Sequence, residues 1–172
     1  MADFTLIDNS QAVKDALDNM VDLWLDTWGN EIAAQAKRGV VMDDDNGIQL
    51  RKDYRADVDK VNDKAKVGAT LESAYWEEFG TGSHADMGKN GGIPGRPEWW
   101  VYVKNETPRV SPENRIYRTE AEAKAVAAAW RAEGKDAYAT NGRDPNYTLE
   151  KAYTTTKSRA INDLESKLRR LE

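Results

Sequence analysis

Apolar residues return every three or four positions between Ser10 and Arg38. Val13, Leu17, Met20, Val21, Trp24, Trp28 and Ile32 form one stripe, which predicts a long amphipathic helix. Leu23 and Leu25 lie off that stripe, so either the stripe is wide or a partner covers a second surface. Gly29 sits inside the pattern and works against an unbroken helix. The polar run Asp43-Asp44-Asp45-Asn46-Gly47 then predicts a solvated turn. As a calcium loop it fails, because the fifth and twelfth positions from Asp43 are Gly47 and Tyr54, where oxygen ligands are required.

The period next shifts to two. Tyr54, Ala56 and Val58 alternate with charged residues, and Ala65, Val67 and Ala69 do so again after the turn-like Asn62-Asp63. This predicts a hairpin of two half-buried strands. Ser73 to Phe79 reads as a short helical or extended stretch ending at Gly80-Thr81-Gly82. A glycine-rich loop from Ser83 to Pro97 follows, too long for a tight connection. Trp99 to Lys104 reads as a strand, with Trp99, Val101 and Val103 on one face and Trp100 and Tyr102 on the other.

Residues Asn105 to Asp144 read as an inserted strand-helix-strand unit. Arg115 to Arg118 is its first strand and Lys135 to Thr140 its second. Thr119 caps the helix between them, with Glu122 at the capping-box spacing, and Gly134 stops it. The helix has a thin apolar face of Ala125, Val126, Ala129 and Trp130, which has to dock on the main sheet or on a neighbouring subunit. A last helix runs from about Tyr147 to Leu171. Its stripe is Leu149, Tyr153, Ala160, Ile161, Leu164, Leu168 and Leu171, and Lys167, Arg169 and Arg170 complement the dipole of its final turn. The expected fold is α+β: a small, mainly antiparallel sheet packed by a long N-terminal and a C-terminal helix. It forms a single domain over residues 1–172, with 105–144 inserted.

Composition narrows the chemistry. The 172 residues are enough to bury a core. The chain has no cysteine, which removes disulfides and thiolate metal sites. A net charge of -5 argues against a sequence-reading DNA binder. No apolar run approaches the roughly 18 residues a membrane span needs, and Met1-Ala2-Asp3-Phe4 lacks the pattern of a signal peptide. The expected chain is soluble and unprocessed, with no membrane partner. Six Trp and seven Tyr stand against two Phe. That balance suits surfaces buried on one side and polar on the other, and equally a small core that uses Trp.

No catalytic set is legible. His84 is the sole histidine and reads as a solvated loop residue. The stretch from Gly82 to Lys89 has the outline of a phosphate loop. However, five residues separate Gly82 from Gly88 and Asn90 follows Lys89, whereas that loop needs four and then Ser or Thr. Glu77 and Glu78 are adjacent, so they point different ways and make a poor acid–base pair. Asn105-Glu106-Thr107 and Asn146-Tyr147-Thr148 match the glycosylation pattern, which carries no weight without a secretion signal. The chain is expected not to be an enzyme and to need no cofactor or metal.

Ala74-Tyr75-Trp76-Glu77-Glu78-Phe79-Gly80-Thr81-Gly82 resembles the hallmark of the small neck, head–tail joining and tail-component proteins of long-tailed bacteriophages. Pro145-Asn146-Tyr147, followed by Leu149 and Ala152, resembles that family's second motif, a Pro-aromatic opening of the last helix. Gly47-Ile48-Gln49-Leu50 has a counterpart there, as do the first and last helices. The resemblance spans most of residues 10–104 and 145–172. The chain departs from the family in carrying the 105–144 insertion, and in placing Asn146 where an aromatic often follows the proline.

The resemblance implies a structural virion protein, a neck or tail-completion subunit joining the DNA-filled head to the tail. It implies a homo-oligomeric ring, six-fold favoured and twelve-fold possible, assembled in the host bacterial cytoplasm. Its partners would be portal-side adaptor, neck and tail proteins, with DNA passing non-specifically through an acidic lumen. Glu77, Glu78, Phe79, Gly80, Thr81 and Gly82 would then be assembly residues. Phe79 would anchor, the glycines would allow close approach of another chain, and the two glutamates would pair with bases on a neighbour. The alternatives are a tail terminator capping the tube, a non-virion phage-encoded protein-binding module, and a small hydrolase or nucleotide-binding enzyme. Only a convergent cluster of perturbed ionisable groups would favour the last.

Overall fold

The first helix, α1 (Ser10–Gly39), is unbroken through Gly29. The computed structural model describes residues 8–42, 45–86, 88, 98–104 and 116–170. Within it the chain divides into two compact units. One comprises Met1–Gly39, Asp53–Ala69 and Leu149–Glu172, and the other Val40–Lys52 and Thr70–Thr148.

In the first unit, α1 packs on a hairpin of β1 (Arg55–Asp59) and β2 (Lys64–Gly68). The strands pair antiparallel, with Ala56 opposite Val67 and Val58 opposite Ala65, as the alternation predicts. The buried line of α1 is Leu25, Gly29, Ala33 and Ala36, which corrects the expected stripe. Leu25 lies off that stripe yet is buried, while Val13 and Leu17 on it are exposed. Gly29 explains the shift. A Cβ there would stand 3.1 Å from the Ala56 Cβ and 3.5 Å from that of Ala65, so the helix uses its smallest residues to approach the sheet. The last helix, α5 (Thr148–Leu168), is tied to α1 through two indoles. Trp24 Nε1 donates to the Ala160 carbonyl at 2.9 Å, and Trp28 Nε1 to Asp163 Oδ2 at 3.0 Å.

The second unit begins with α2 (Asp45–Asp53), where the sequence reading has a turn. Asp43 and Asp44 lie outside the described residues. The helix is fixed by packing: Leu50 is buried, and a Cβ on Gly47 would fall 2.1 Å from the Met42 carbonyl oxygen. Arg51 Nη2 donates to the carbonyls of Val40 and Met42 at 2.9 and 2.7 Å and so closes the connection before α2. Next come α3 (Glu72–Phe79), β3 (Thr81–Gly82) and β4 (Trp99–Val103). Most of the glycine-rich loop, and Asn105 to Arg115, lie outside the described residues.

β5 (Ile116–Tyr117), α4 (Glu120–Ala132) and β6 (Ala137–Thr140) form the strand-helix-strand unit. β5 and β6 flank β4 on opposite edges, each antiparallel to it. α4 covers one face of this sheet. Val101 and Val103 of β4 meet Ala123 and Ala127 of α4 and Ala137 of β6, with Trp99, Tyr117, Val126 and Trp130 around them. The alanines therefore help make a core, and the docking face is Ala123–Val126–Ala127–Trp130. Ala125 and Ala129, expected on it, are exposed. The capping box at Thr119 and Glu122 is present, and Gly134 adopts φ 85° after the helix. Trp100 and Tyr102 occupy the opposite face of β4, where Tyr102 stacks on Tyr138 at 5.7 Å between ring centroids. A two-residue pairing of β3 with β7 (Gly142–Arg143) completes the unit. The fold is thus α+β, with three small antiparallel sheets among the described residues.

Candidate functional site

Three residues decide the geometry around the Glu-Phe-Gly-Thr-Gly string: Glu77, Gly80 and Gly82. α3 is one short stretch of helix with no side-chain cap at Leu71, too short to persist alone. What holds it is Glu77, whose side chain is wholly buried. Its Oε1 accepts from the Val41 backbone N–H and from Asn146 Nδ2, each at 2.8 Å, and from Thr148 Oγ1 at 3.4 Å. Its Oε2 lies 3.0 Å from Arg143 Nη2. That contact is an ion pair not aligned as a hydrogen bond. A buried carboxylate is tolerated only when paired and hydrogen-bonded in this way.

The expectation that Glu77 pairs with a base on a neighbour is corrected here: its base is Arg143 of the same chain. Glu78 is also buried. The backbone carbonyls of both glutamates accept from the second motif, Asn146 N–H to Glu77 at 2.9 Å and Tyr147 N–H to Glu78 at 3.2 Å. Tyr147 adopts φ 51°, unusual for a non-glycine residue, and its hydroxyl donates to Asp86 Oδ2 at 2.6 Å.

Gly80 ends α3 with φ 74°, its N–H donating to the Trp76 carbonyl. Gly82 has φ 62° and sits opposite Gly142, φ 135°. A Cβ on Gly82 would fall 2.0 Å from the Asn141 carbonyl oxygen, and one on Gly142 2.0 Å from that of Thr81. The close approach that the glycines allow is therefore between β3 and β7 of one chain. Phe79 is half-buried and tilts against Tyr75, with ring centroids 5.0 Å apart. Thr81 pairs with Arg143 in the strand register.

His84 is exposed, as expected, and is also held by two side chains. Its Nδ1 lies 2.8 Å from Asp144 Oδ1 and its Nε2 3.2 Å from Asn141 Oδ1. Ser83 N–H donates to the Asn141 carbonyl at 2.8 Å. Sequence reasoning does not find Arg143, Asn141 or Asp144, because nothing local marks them as partners of residues so far upstream. No grouping of three or more His, Cys, Asp or Glu side chains suited to a metal occurs among the described residues. The arrangement holds a short helix, a glycine turn and the segment from Arg143 to Thr148 together.

No family model, curated protein or solved structure matches the chain. Among the described residues, no helix is long and apolar enough to cross a membrane.

Proposed function

We propose that this chain is a non-enzymatic structural subunit of a tailed bacteriophage, forming a ring in the neck or tail-completion region between head and tail. One observation carries the reading. The two strings that resemble the phage family, Glu77 to Gly82 and Pro145 to Tyr147, meet at Glu77: the Asn146 backbone N–H donates to the Glu77 backbone carbonyl and the Asn146 side-chain amide to the Glu77 carboxylate. The α+β architecture with long first and last helices agrees with what the resemblance implies.

In this reading the internal bonds of the string pre-organise the surface around Phe79 and Ser83 to Asp86. A surface already fixed loses little conformational entropy when a neighbour docks on it. Virion location, ring formation and contact with portal-side and tail proteins belong to the same proposal.

The test is to purify particles made with and without the chain and weigh their proteins. The expected outcome is a stoichiometric virion component, at a copy number matching one ring. Particles lacking it should leave filled heads and tails unjoined, and added protein should restore joining. Infectious, joined particles made without the chain would overturn the reading.

A further inference from the structure

In the first unit, α1, β2 and α5 leave a groove between them. Trp28 and Ile32 of α1, Ala65 and Val67 of β2, and Tyr153 and Ile161 of α5 line it. It holds about 390 Å³, where a single water needs roughly 10–15 Å³, so it is more than a packing defect. On α5, Ala152, Thr156 and Ala160 are buried, whereas Tyr153 and Ile161 stay 50% and 43% exposed. β1 and β2 form a sheet of only two strands, so the outer edge of β2 is unpaired among the described residues. It is β2 that borders the groove, through Ala65 and Val67, and β1 takes no part. The groove therefore lies where a third strand would add to β2, alongside α5.

An unpaired edge beside an apolar groove suits an extended segment. The backbone of that segment completes the ladder, and every second side chain enters the groove. Three segments of more than two residues lie outside the described ones: 1–7, 89–97 and 105–115. Pro94 and Pro97 interrupt the second, and Pro108 and Pro112 the third, and proline cannot donate to a ladder. The first has no proline or glycine, and in it Ala2, Phe4 and Leu6 alternate with Asp3 and Thr5. Extended, Ala2 to Leu6 presents one apolar face, and its other face would lie by the exposed Lys64 and Lys66 of β2. Those lysines already stand opposite Asp59 and Asp57, so the fit rests on the apolar alternation and not on charge. The segment does not reach the groove of its own copy. A Cβ on Gly29 would stand 3.5 Å from that of Ala65, and Gly29 lies about 28 Å along α1 from Ser10. Phe4 and Leu6 precede Asp8 by four and two residues, which span at most about 14 and 7 Å.

We propose that Ala2 to Leu6 of one copy adds as a third strand to the outer edge of β2 in a neighbouring copy, with Phe4 and Leu6 seated in the groove. This names the junction of the ring proposed above and rests on that reading. Arm and groove are different surfaces, so the contact passes from copy to copy and closes into a ring when the rotation allows. It also covers Tyr153 and Ile161, the large apolar side chains of the groove that stand exposed in the single copy.

The test separates arm from groove. The full chain carrying Phe4→Asp and Leu6→Asp loses the arm and keeps the groove, and circular dichroism checks that its helices remain. By light scattering on a sizing column, the wild type should assemble beyond a dimer. The double variant should need at least about tenfold more protein to do so, since two apolar side chains no longer bury. A labelled synthetic peptide of residues 1–9 should bind the double variant saturably, read by fluorescence anisotropy, and should slow hydrogen exchange in Lys64 to Gly68. Adding Tyr153→Glu to that variant should weaken peptide binding at least about tenfold, and a peptide with the same two aspartates should not bind. Excess peptide should also take wild-type assemblies apart, a measurement that needs no variant. A double variant that assembles at wild-type concentrations, or a peptide that neither binds nor dissociates the wild type, would overturn the junction and leave the ring reading standing. Peptide binding with unchanged exchange in β2 would overturn the added strand. A mass that stops at two copies would overturn the repeat from copy to copy. A wild-type chain that stays monomeric throughout would overturn both the junction and the ring.

Discussion

Arg143 reaches the buried carboxylate of Glu77 across 3.0 Å, while its own side chain stays 31% exposed. The pair thus has one end in the interior and one in water. Glu77 also serves Asn146, 69 residues further on, so one carboxylate links α3, β7 and the approach to α5.

Removing that carboxylate should loosen the whole second unit. Glu77→Ala leaves the Val41 N–H and the Asn146 amide without their acceptor. Each such orphan costs roughly 1–3 kcal/mol, so a loss of about 3 kcal/mol is expected. Glu77→Gln keeps one oxygen for those donors and should cost about half as much. Urea unfolding of the two variants measures the difference, and equal midpoints would show that Oε1 does not hold the segment.

Gly82 and Gly68 should respond oppositely to the same change. Gly82→Ala puts a methyl group 2.0 Å from a carbonyl oxygen at φ 62°. A destabilisation above about 1 kcal/mol is expected where positive φ and a clash combine. At Gly68 a Cβ meets nothing within 4 Å, so Gly68→Ala should be neutral or stabilise by up to about 1 kcal/mol. Thermal midpoints of the two variants give the comparison.

Thr119→Ala should cost about 1 kcal/mol. Thr119 Oγ1 accepts the Glu122 N–H at 3.3 Å, and Glu122 Oε2 accepts from Thr119 N–H. Helical content should fall little, because Ala123 and Ala127 keep α4 on the sheet. The loss should appear as a lower unfolding midpoint with an unchanged native spectrum. A collapse of the native spectrum would mean that the cap, rather than the packing, forms the helix.

Asp163 gives a pH signature in the first unit. The Lys167 ammonium, and after it the Trp28 indole N–H, hold its carboxyl below the usual carboxylate range. A depressed value in the folded chain stabilises above about pH 4, the ordinary aspartate value, and the gain is lost as pH falls through the folded value. Wild type should therefore melt higher than Asp163→Asn at pH 7, and the gap should close on acidification. A gap that persists at pH 2.5 would mean that the charge of Asp163 is not what matters.

What the sequence made legible is what local patterns determine. The hairpin from Arg55 to Gly68 follows from alternation, and α4 from its capping box and Gly134. Two elements escaped for the same physical reason. α2 begins in a run of aspartates, and only the burial of Leu50 and the fit of Gly47 against Met42 make it a helix. Glu77 reads as one of two acids that would pair with bases on a neighbour, because its partners Val41, Arg143 and Asn146 come from distant parts of the chain. The stripe of α1 misled in a third way. Its smallest residues, Gly29, Ala33 and Ala36, take the core, while Val13 and Leu17 point outward. A reading that equates large apolar side chains with burial inverts that face.

The position of β4 between β5 and β6 has a consequence during synthesis. Trp99 to Val103 leaves the ribosome before either strand that will flank it, so the edge that pairs with β5 waits for about a dozen further residues and the edge that pairs with β6 for about thirty. The first unit waits too, since Trp24 and Trp28 find their acceptors only when α5 arrives. Neither unit can therefore close early. Nascent chains from which β6 and α5 have not yet emerged should be clients of chaperones that grip apolar strands, and released full-length chains should slip that hold.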